Sequence, residues 1–307
     1  MKIAKQTAKK ILTILLILFG GLTLLGGSIF TIAMAAAGWD FSVMNTVDYK
    51  RETYTEAGVC TTVLLNFNTA DIKVYFDEST TQVRVEYAEK YTKHGEKLTQ
   101  TIITERYDAL KIIQAHKNLV YLESSFKEDD DVRVYLPINR AYLLEIETNT
   151  GDIFLNGNAH ISNLKLTTNT GNVFINNDIT ATEKANIQTG TGEICIRGSL
   201  TAPTVELKAN TGDIWLRNLS GETLYATTNT GDVRNYANGL LDFTSLQFKV
   251  GTGDVDIRLI GNYTDYCVDV KTTTGDVFLA GYPDESKPKK LTIRTSTGDI
   301  RGVYVEK

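Results

Sequence analysis

The stretch Leu144-Glu145-Ile146-Glu147-Thr148-Asn149-Thr150-Gly151-Asp152-Ile153-Phe154-Leu155 decides the fold. Before the glycine, Leu144 and Ile146 alternate with Glu145 and Glu147; after it, Ile153 and Leu155 flank Phe154. That is period-two alternation, the pattern of two short strands with one face in and one face out, joined at Thr-Gly-Asp. The motif Thr-Gly-(Asp/Asn/Glu)-(Ile/Val) recurs eight times, 19 to 23 residues apart. Its glycines are Gly151, Gly171, Gly192, Gly212, Gly231, Gly253, Gly275 and Gly298. A period of that length, holding one turn and two strands, marks a β-solenoid in which each repeat is one rung.

Working outward from the glycine, each column has its own chemistry. The positions seven and five residues before it are apolar in every repeat, from Leu144 and Ile146 to Leu291 and Ile293. Two residues after it stands Ile or Val, and four after it usually another aliphatic, failing at Asn235 and Gly302. The threonine before the glycine never varies, and stacked threonines can bond in a ladder. The glycine supplies a positive φ or room for close backbone approach, and the acidic or amide residue after it can bond turn amides. A lone repeat cannot bury its apolar face, so the rungs must stack, into a rod on the order of 35 Å at about 4.8 Å per rung.

The expected fold is therefore all-β: a parallel β-helix of about eight rungs over residues 141–307, right-handed by the preference of parallel crossovers. Residues 53–140 read as an N-terminal cap with first rungs, since a solenoid needs an atypical terminal repeat. There, Asn66-Phe67-Asn68-Thr69-Ala70-Asp71-Ile72 has Ala70 in the glycine's place. The segments 88–97 and 281–290 and the acidic run Glu128–Asp131 read as solvated loops.

Residues 11–37 are almost wholly uncharged and mostly apolar, long enough to cross a bilayer as one transmembrane helix. Lys2, Lys5, Lys9 and Lys10 precede it, which sets residues 1–10 in the cytoplasm, 38–52 as a juxtamembrane linker and the repeats outside the cell. The alternative is a cleaved signal peptide ending in the small residues Ala33 to Ala37, which would make the protein secreted. A signal's apolar core is normally 7–15 residues, so the anchor is the reading favoured here.

The run Val132-Arg133-Val134-Tyr135-Leu136-Pro137, followed by Leu144 to Ile153, resembles a bacterial putative-adhesin family of β-strand-repeat proteins whose function is not known. The likeness spans roughly residues 50–307. It takes in Gly38-Trp39-Asp40-Phe41, which is similar to the membrane-anchored members from Gram-positive bacteria. The resemblance implies a β-repeat fold at the cell envelope and carries over no catalytic residue.

The chain has a net charge of −5, and residues 1–37 hold four lysines and no acid, which leaves −9 on the rest. An acidic exported domain is ill suited to bind nucleic acid. Cys60, Cys195 and Cys267 show no CxxC spacing and read as packed or surface thiols. No catalytic motif accompanies His94, His116 or His160.

Two columns are left as candidate sites. The residues after the glycines are acidic or amide, and their structural reading is turn capping. Their metal reading places Ca2+ on Asp213, Asp232, Asp254 and Asp276, although the glycine-rich nonapeptide of calcium-binding solenoids is absent. Three residues after the glycines, Phe154, Phe174, Cys195 and Trp215 form an apolar stripe. Exposed, it is a binding surface for cell-wall glycan or an envelope protein; covered by the N-terminal hairpins, it is secondary core. The function expected is non-catalytic, an adhesin or envelope scaffold without a cofactor. The alternative is a polysaccharide-active β-helix enzyme.

Overall fold

In the computed structural model the described residues are 47–306, without Lys93 and 117–129, together with Thr31 and Ala35. Each glycine divides its rung into two arms. The arms before the turn stack into one sheet, beginning with Tyr142–Thr150, Ala159–Thr170, Ile179–Thr191 and Thr204–Thr211. The arms after it stack into a second: Ile153–Asn156, Val173–Ile175, Ile194–Ile196, then the long strands Ile214–Thr230 and Val233–Thr252. Those two long strands each run on into the leading arm of the next rung.

Pairing between rungs is parallel, and it keeps each sequence column in line. Leu144 lies beside Leu164, then Ala185, then Val205. Ile153 lies beside Val173, Ile194 and Ile214 in turn. A third ladder of Ile179, Leu200, Leu219, Leu241 and Leu259 closes the interior. All these side chains are buried. Each Val, Leu or Ile among them contributes about 1.5–3 kcal/mol once covered, which only a neighbouring rung can do. Bulk varies along a column: small Ala226 lies beside Phe248 and leaves space for it.

The turn explains why its residues repeat. Gly171 has φ +148°, and a Cβ there would lie 2.0 Å from the carbonyl oxygen of Gly151. Both the conformation and the close approach thus exclude a side chain. The Gly171 N–H donates to the carbonyl of Thr191 at 2.8 Å, and the same bond recurs between successive turns. Ala70 occupies this column without a positive φ, its N–H donating to Thr150 O at 3.0 Å. In most rungs a second threonine stands two residues before the one that precedes the glycine, and Thr148, Thr168, Thr189, Thr228 and Thr295 at that position are buried rather than displayed. Thr168 Oγ1 donates to Gly151 O at 2.9 Å and Thr189 Oγ1 to Gly171 O at 2.8 Å.

Stacking order departs from chain order at both ends. The arms Thr62–Thr69 and Ile72–Asp77 sit between the Gly151 rung and an outermost rung made of Ala109–His116 and Val132–Pro137. Likewise, the last rung in sequence, Lys289–Thr297 and Ile300–Val305, is inserted between the Gly253 and Gly275 rungs. The Gly275 rung, Tyr266–Thr274 with Val277–Phe278, therefore ends the rod.

The two ends are closed differently. At the N-terminal end Val47–Thr55 pairs antiparallel with Arg84–Thr92, which pairs antiparallel with Val132–Pro137, and Thr99–Arg106 covers Ala109–His116. At the other end the loop after Gly281 bonds the start of the last arm, Val268 N–H donating to Tyr282 O at 3.1 Å, and takes the Lys290 ammonium on Glu285 at 2.7 Å. Val277, whose column mates are wholly buried, is 42% exposed there.

Three expectations are corrected. The fold class is all-β without the expected preceding transmembrane helix: among the described residues no helix is long and apolar enough to cross a membrane. Residues 11–37, on which that expectation falls, lie outside the described residues apart from Thr31 and Ala35. Apolar length is a necessary condition for a span and does not by itself build one. Second, much of the expected loop 88–97 is strand, with Glu89 and Lys90 buried. Lys97 pairs with Glu89 at 3.0 Å, and the Lys90 ammonium lies 5.7 Å from the Tyr49 ring centre. Third, Asp131 is not solvated: it is buried among Arg51 at 2.6 Å, Arg133 at 2.9 Å and Lys73 at 3.1 Å. Burial alone would raise its pKa, but these three cations hold the carboxyl below its ordinary value.

Candidate binding surface

The column after the glycines is a hydrogen-bonded ladder that belongs to the turn. The Asp152 carboxylate accepts the Asn172 N–H at 2.6 Å, and the Asn172 side-chain oxygen accepts the Glu193 N–H at 2.8 Å. Asp213 accepts from Asp232 N–H at 2.7 Å, Asp232 from Asp254 N–H at 2.6 Å, and Asp254 from Asp299 N–H at 2.9 Å. Of the four candidate metal residues, Asp213, Asp232 and Asp254 thus each spend one oxygen on the next rung's backbone. Asp276 lies on the terminal rung, with its N–H bonded to Asp299 Oδ1 at 2.9 Å. Among the described residues no group of three or more His, Cys, Asp or Glu is placed to hold a metal ion.

The next outward column changes character along the rod. Phe154 and Phe174 stack, ring centres 4.9 Å apart. Cys195 follows, and then Trp215, whose ring lies 5.6 Å from that of Tyr236. The aromatic side chains of the stripe are half-buried, and Cys195 is buried. What lies over them is the neighbouring column on the same sheet: the Arg197 guanidinium sits 4.5 Å from the Phe174 ring centre. The stripe is thus partly shielded by its own sheet.

Beyond Trp215 the same column becomes ionic. Arg234 pairs with Asp232 at 2.5 Å and Asp254 at 3.8 Å. Arg301 pairs with Asp254 at 3.2 Å and with Asp299. Phe278, on the exposed terminal rung, has the Arg301 guanidinium 5.7 Å from its ring centre.

Burial also settles the thiols. It pushes Cys195 up to about 11, with Glu193 adding to the effect, and Cys60 up to about 12, with Glu105 and Glu56 adding. All three cysteines are buried and unpaired. A thiol held protonated at neutral pH is a poor nucleophile.

Sequence columns therefore placed Phe154, Phe174 and Trp215 on one face, as the structure does. They did not single out Arg197, Arg217 and Tyr236, which stand five residues after Gly192, Gly212 and Gly231 and border a cavity of about 430 Å3 with Ala237 and Asn238. The available signal was an arginine at that position in two successive repeats. A larger hollow, about 580 Å3, lies on the other sheet among Asn66, Asn68, Gln114, Asn149 and Asn169.

A rod of this shape, with its Thr-Gly-Asp turns in register, agrees with what sequence comparison finds. Residues 62–301 match the family described as Toastrack DUF4097. The chain belongs to that family. Solved structures share the toastrack fold. One is a putative adhesin from Bacteroides fragilis, 15% identical, with a TM-score of 0.50 over 83% of this chain and 97% of that one. Another, from Parabacteroides distasonis, is 14% identical with a TM-score of 0.54 over the same shares. A third, from Parabacteroides merdae, is 14% identical with a TM-score of 0.50 over 85% of this chain and 96% of that one. At such identities the likeness bears on the fold alone. Comparison with curated proteins gives no match.

Proposed function

We propose that this toastrack protein is a non-catalytic binding protein of the cell exterior, an adhesin or envelope scaffold that holds a cell-wall glycan along its aromatic face. The observation that carries the reading is the stacked Phe154–Phe174 pair continued by Trp215 and Tyr236. Half-exposed rings held at strand spacing by a rigid ladder offer flat apolar faces, the kind of surface on which sugar rings stack. Its structural neighbours are described as putative adhesins, which agrees with a surface role. The lysines before an apolar 11–37 stretch support export. A non-catalytic role fits thiols held protonated by burial and turn carboxylates engaged by backbone amides.

The test is co-sedimentation of the full chain with purified cell-wall sacculi. The account expects the wild type to pellet with the wall and the Phe154→Ser/Phe174→Ser variant to stay largely in solution, with its strand content by circular dichroism unchanged. Equal pelleting of both, or of neither, would overturn it.

A further inference from the structure

The exposed arginines of the sheet that follows the turn differ in their partners from one half of the rod to the other. Arg234 and Arg301 each have two carboxylates at ion-pair distance. Arg197 and Arg217 have neutral partners. Arg197 donates to the Asn176 side-chain oxygen at 3.2 Å and lies over Phe174; Arg217 donates to the Arg197 carbonyl at 3.0 Å. Among the described residues neither forms an ion pair with a carboxylate. Glu193, on the same rung as Arg197, instead takes the Cys195 thiol at 3.5 Å.

The two residues hold the same place in adjacent rungs, Arg197 just past the strand Ile194–Ile196, and the Arg217 guanidinium reaches the Arg197 carbonyl. Like charges side by side on neighbouring strands are destabilising, and this chain has ample acid with which to neutralise them. Both are exposed, and both border the 430 Å3 cavity with Tyr236. Trp215 flanks Tyr236 on one side, and Arg197 links the cavity to the Phe174 ring.

We infer that Arg197 and Arg217 form an anion-recognition site, and that the glycan held on the aromatic face is an anionic one, bearing carboxylate or phosphate groups along its length. The inference rests on the binding role proposed above and adds the ligand's charge class. A planar guanidinium presents forked donors that match two oxygens of either group. One oxyanion in the cavity bridges both guanidiniums and relieves their repulsion. The adjoining rings of Trp215 and Phe174 then take sugar faces of neighbouring residues. In the ion-paired half Arg234 and Arg301 are already satisfied. Arg258, at the corresponding position of the Gly253 rung, is half-buried with its Nε enclosed and without a hydrogen-bond partner among the described residues, so it is not presented as part of an exposed pair.

The experiment is titration of the full chain, by calorimetry at low salt, with three polymers of matched length: an oligogalacturonate, a polyglycerol phosphate and a neutral β-glucan. At least one anionic polymer is expected to bind at least tenfold more tightly than the neutral one. Arg197→Gln/Arg217→Gln should abolish that preference, Arg197→Lys/Arg217→Lys should retain part of it, and Arg234→Gln should leave it intact. Which anionic polymer binds distinguishes carboxylate from phosphate. Equal binding of neutral and anionic polymers would overturn the anion site and leave the glycan-binding role standing. Binding of none would overturn both, and an anionic preference that survives Arg197→Gln/Arg217→Gln would place the site elsewhere.

Discussion

The two halves of the outward column share one backbone and differ in chemistry. From the Gly151 to the Gly212 rung the column carries Phe154, Phe174, Cys195 and Trp215, and the arginines beside it lack carboxylates. From Gly231 to Gly298 it carries Arg234, Asp256, Phe278 and Arg301, and the two arginines are laced to the acidic turn ladder. The turn glycines do not distinguish the halves: Gly171 and Gly253 both have positive φ and both face a neighbouring turn carbonyl. The ladder constrains what points inward or sits in the turn, and leaves the outward side chains free to diverge. Function is therefore sought where the repeat stops repeating.

The largest break in this comparison is removal of residues 289–307. Among the described residues the strand Tyr266–Thr274 pairs only with Lys289–Thr297. The ionic half should lose two rungs rather than one, while the aromatic half keeps its structure. Proteolysis with mass spectrometry should show cleavage spreading back to about residue 261; protection of 266–278 would contradict the inserted order. Next in size are the turn glycines. Gly171→Ala and Gly253→Ala should each cost about 3 kcal/mol or more, because a Cβ would clash with the adjacent carbonyl and strain the backbone. Similar falls in melting temperature in both halves are expected, and a tolerated substitution in either would break the common-scaffold account.

Smaller effects follow from the buried threonines. Thr168→Val in one half and Thr295→Val in the other each lose a bond to a turn carbonyl. Each should cost about 0.5–1.5 kcal/mol in denaturant unfolding. Arg234→Gln should cost less than about 1 kcal/mol, an effect that vanishes in high salt, since its ion pairs are partly exposed.

Acid should separate the halves as well. The amide of Asp299, with Arg301 and Arg234 beside it, holds the Asp254 carboxyl below its ordinary value. A depressed folded pKa means the stabilisation is full above the unfolded value near 4 and is lost as pH falls through the folded value. Asn172, in the same column of the aromatic half, does not titrate. Its side-chain oxygen accepts the Glu193 amide of the Gly192 turn, so hydrogen exchange at pH 3 against pH 6 should show loosening at the Gly253 and Gly298 turns before the Gly192 turn.

Much of this was legible in the sequence, because a solenoid writes its geometry as a period. Sixteen apolar positions before the turns and the unvarying threonine specify the inward columns and the ladder. The exchanged order of the end rungs was not legible. The spacing from Gly253 to Gly275 to Gly298 stays within the ordinary period, and only pairing reveals which rung is outermost. Charged residues misled where they are buried: Asp131, Glu89 and Lys90 look solvated until three-dimensional partners neutralise them. The aromatic stripe could be drawn from the column alone. The arginine pair could not, because what marks it is the lack of ion pairing, a property of neighbours and not of sequence.

Hydroxyl-radical footprinting of the full chain, with and without purified wall polymer, tests the central claim most directly, since aromatic side chains report from both halves. Oxidation of Phe154, Phe174, Trp215 and Tyr236 should fall on binding, while Tyr225 on the opposite sheet and Phe278 on the terminal rung stay unchanged. Protection of Tyr225 or Phe278 with no change at Phe154, Phe174 and Trp215 would contradict it.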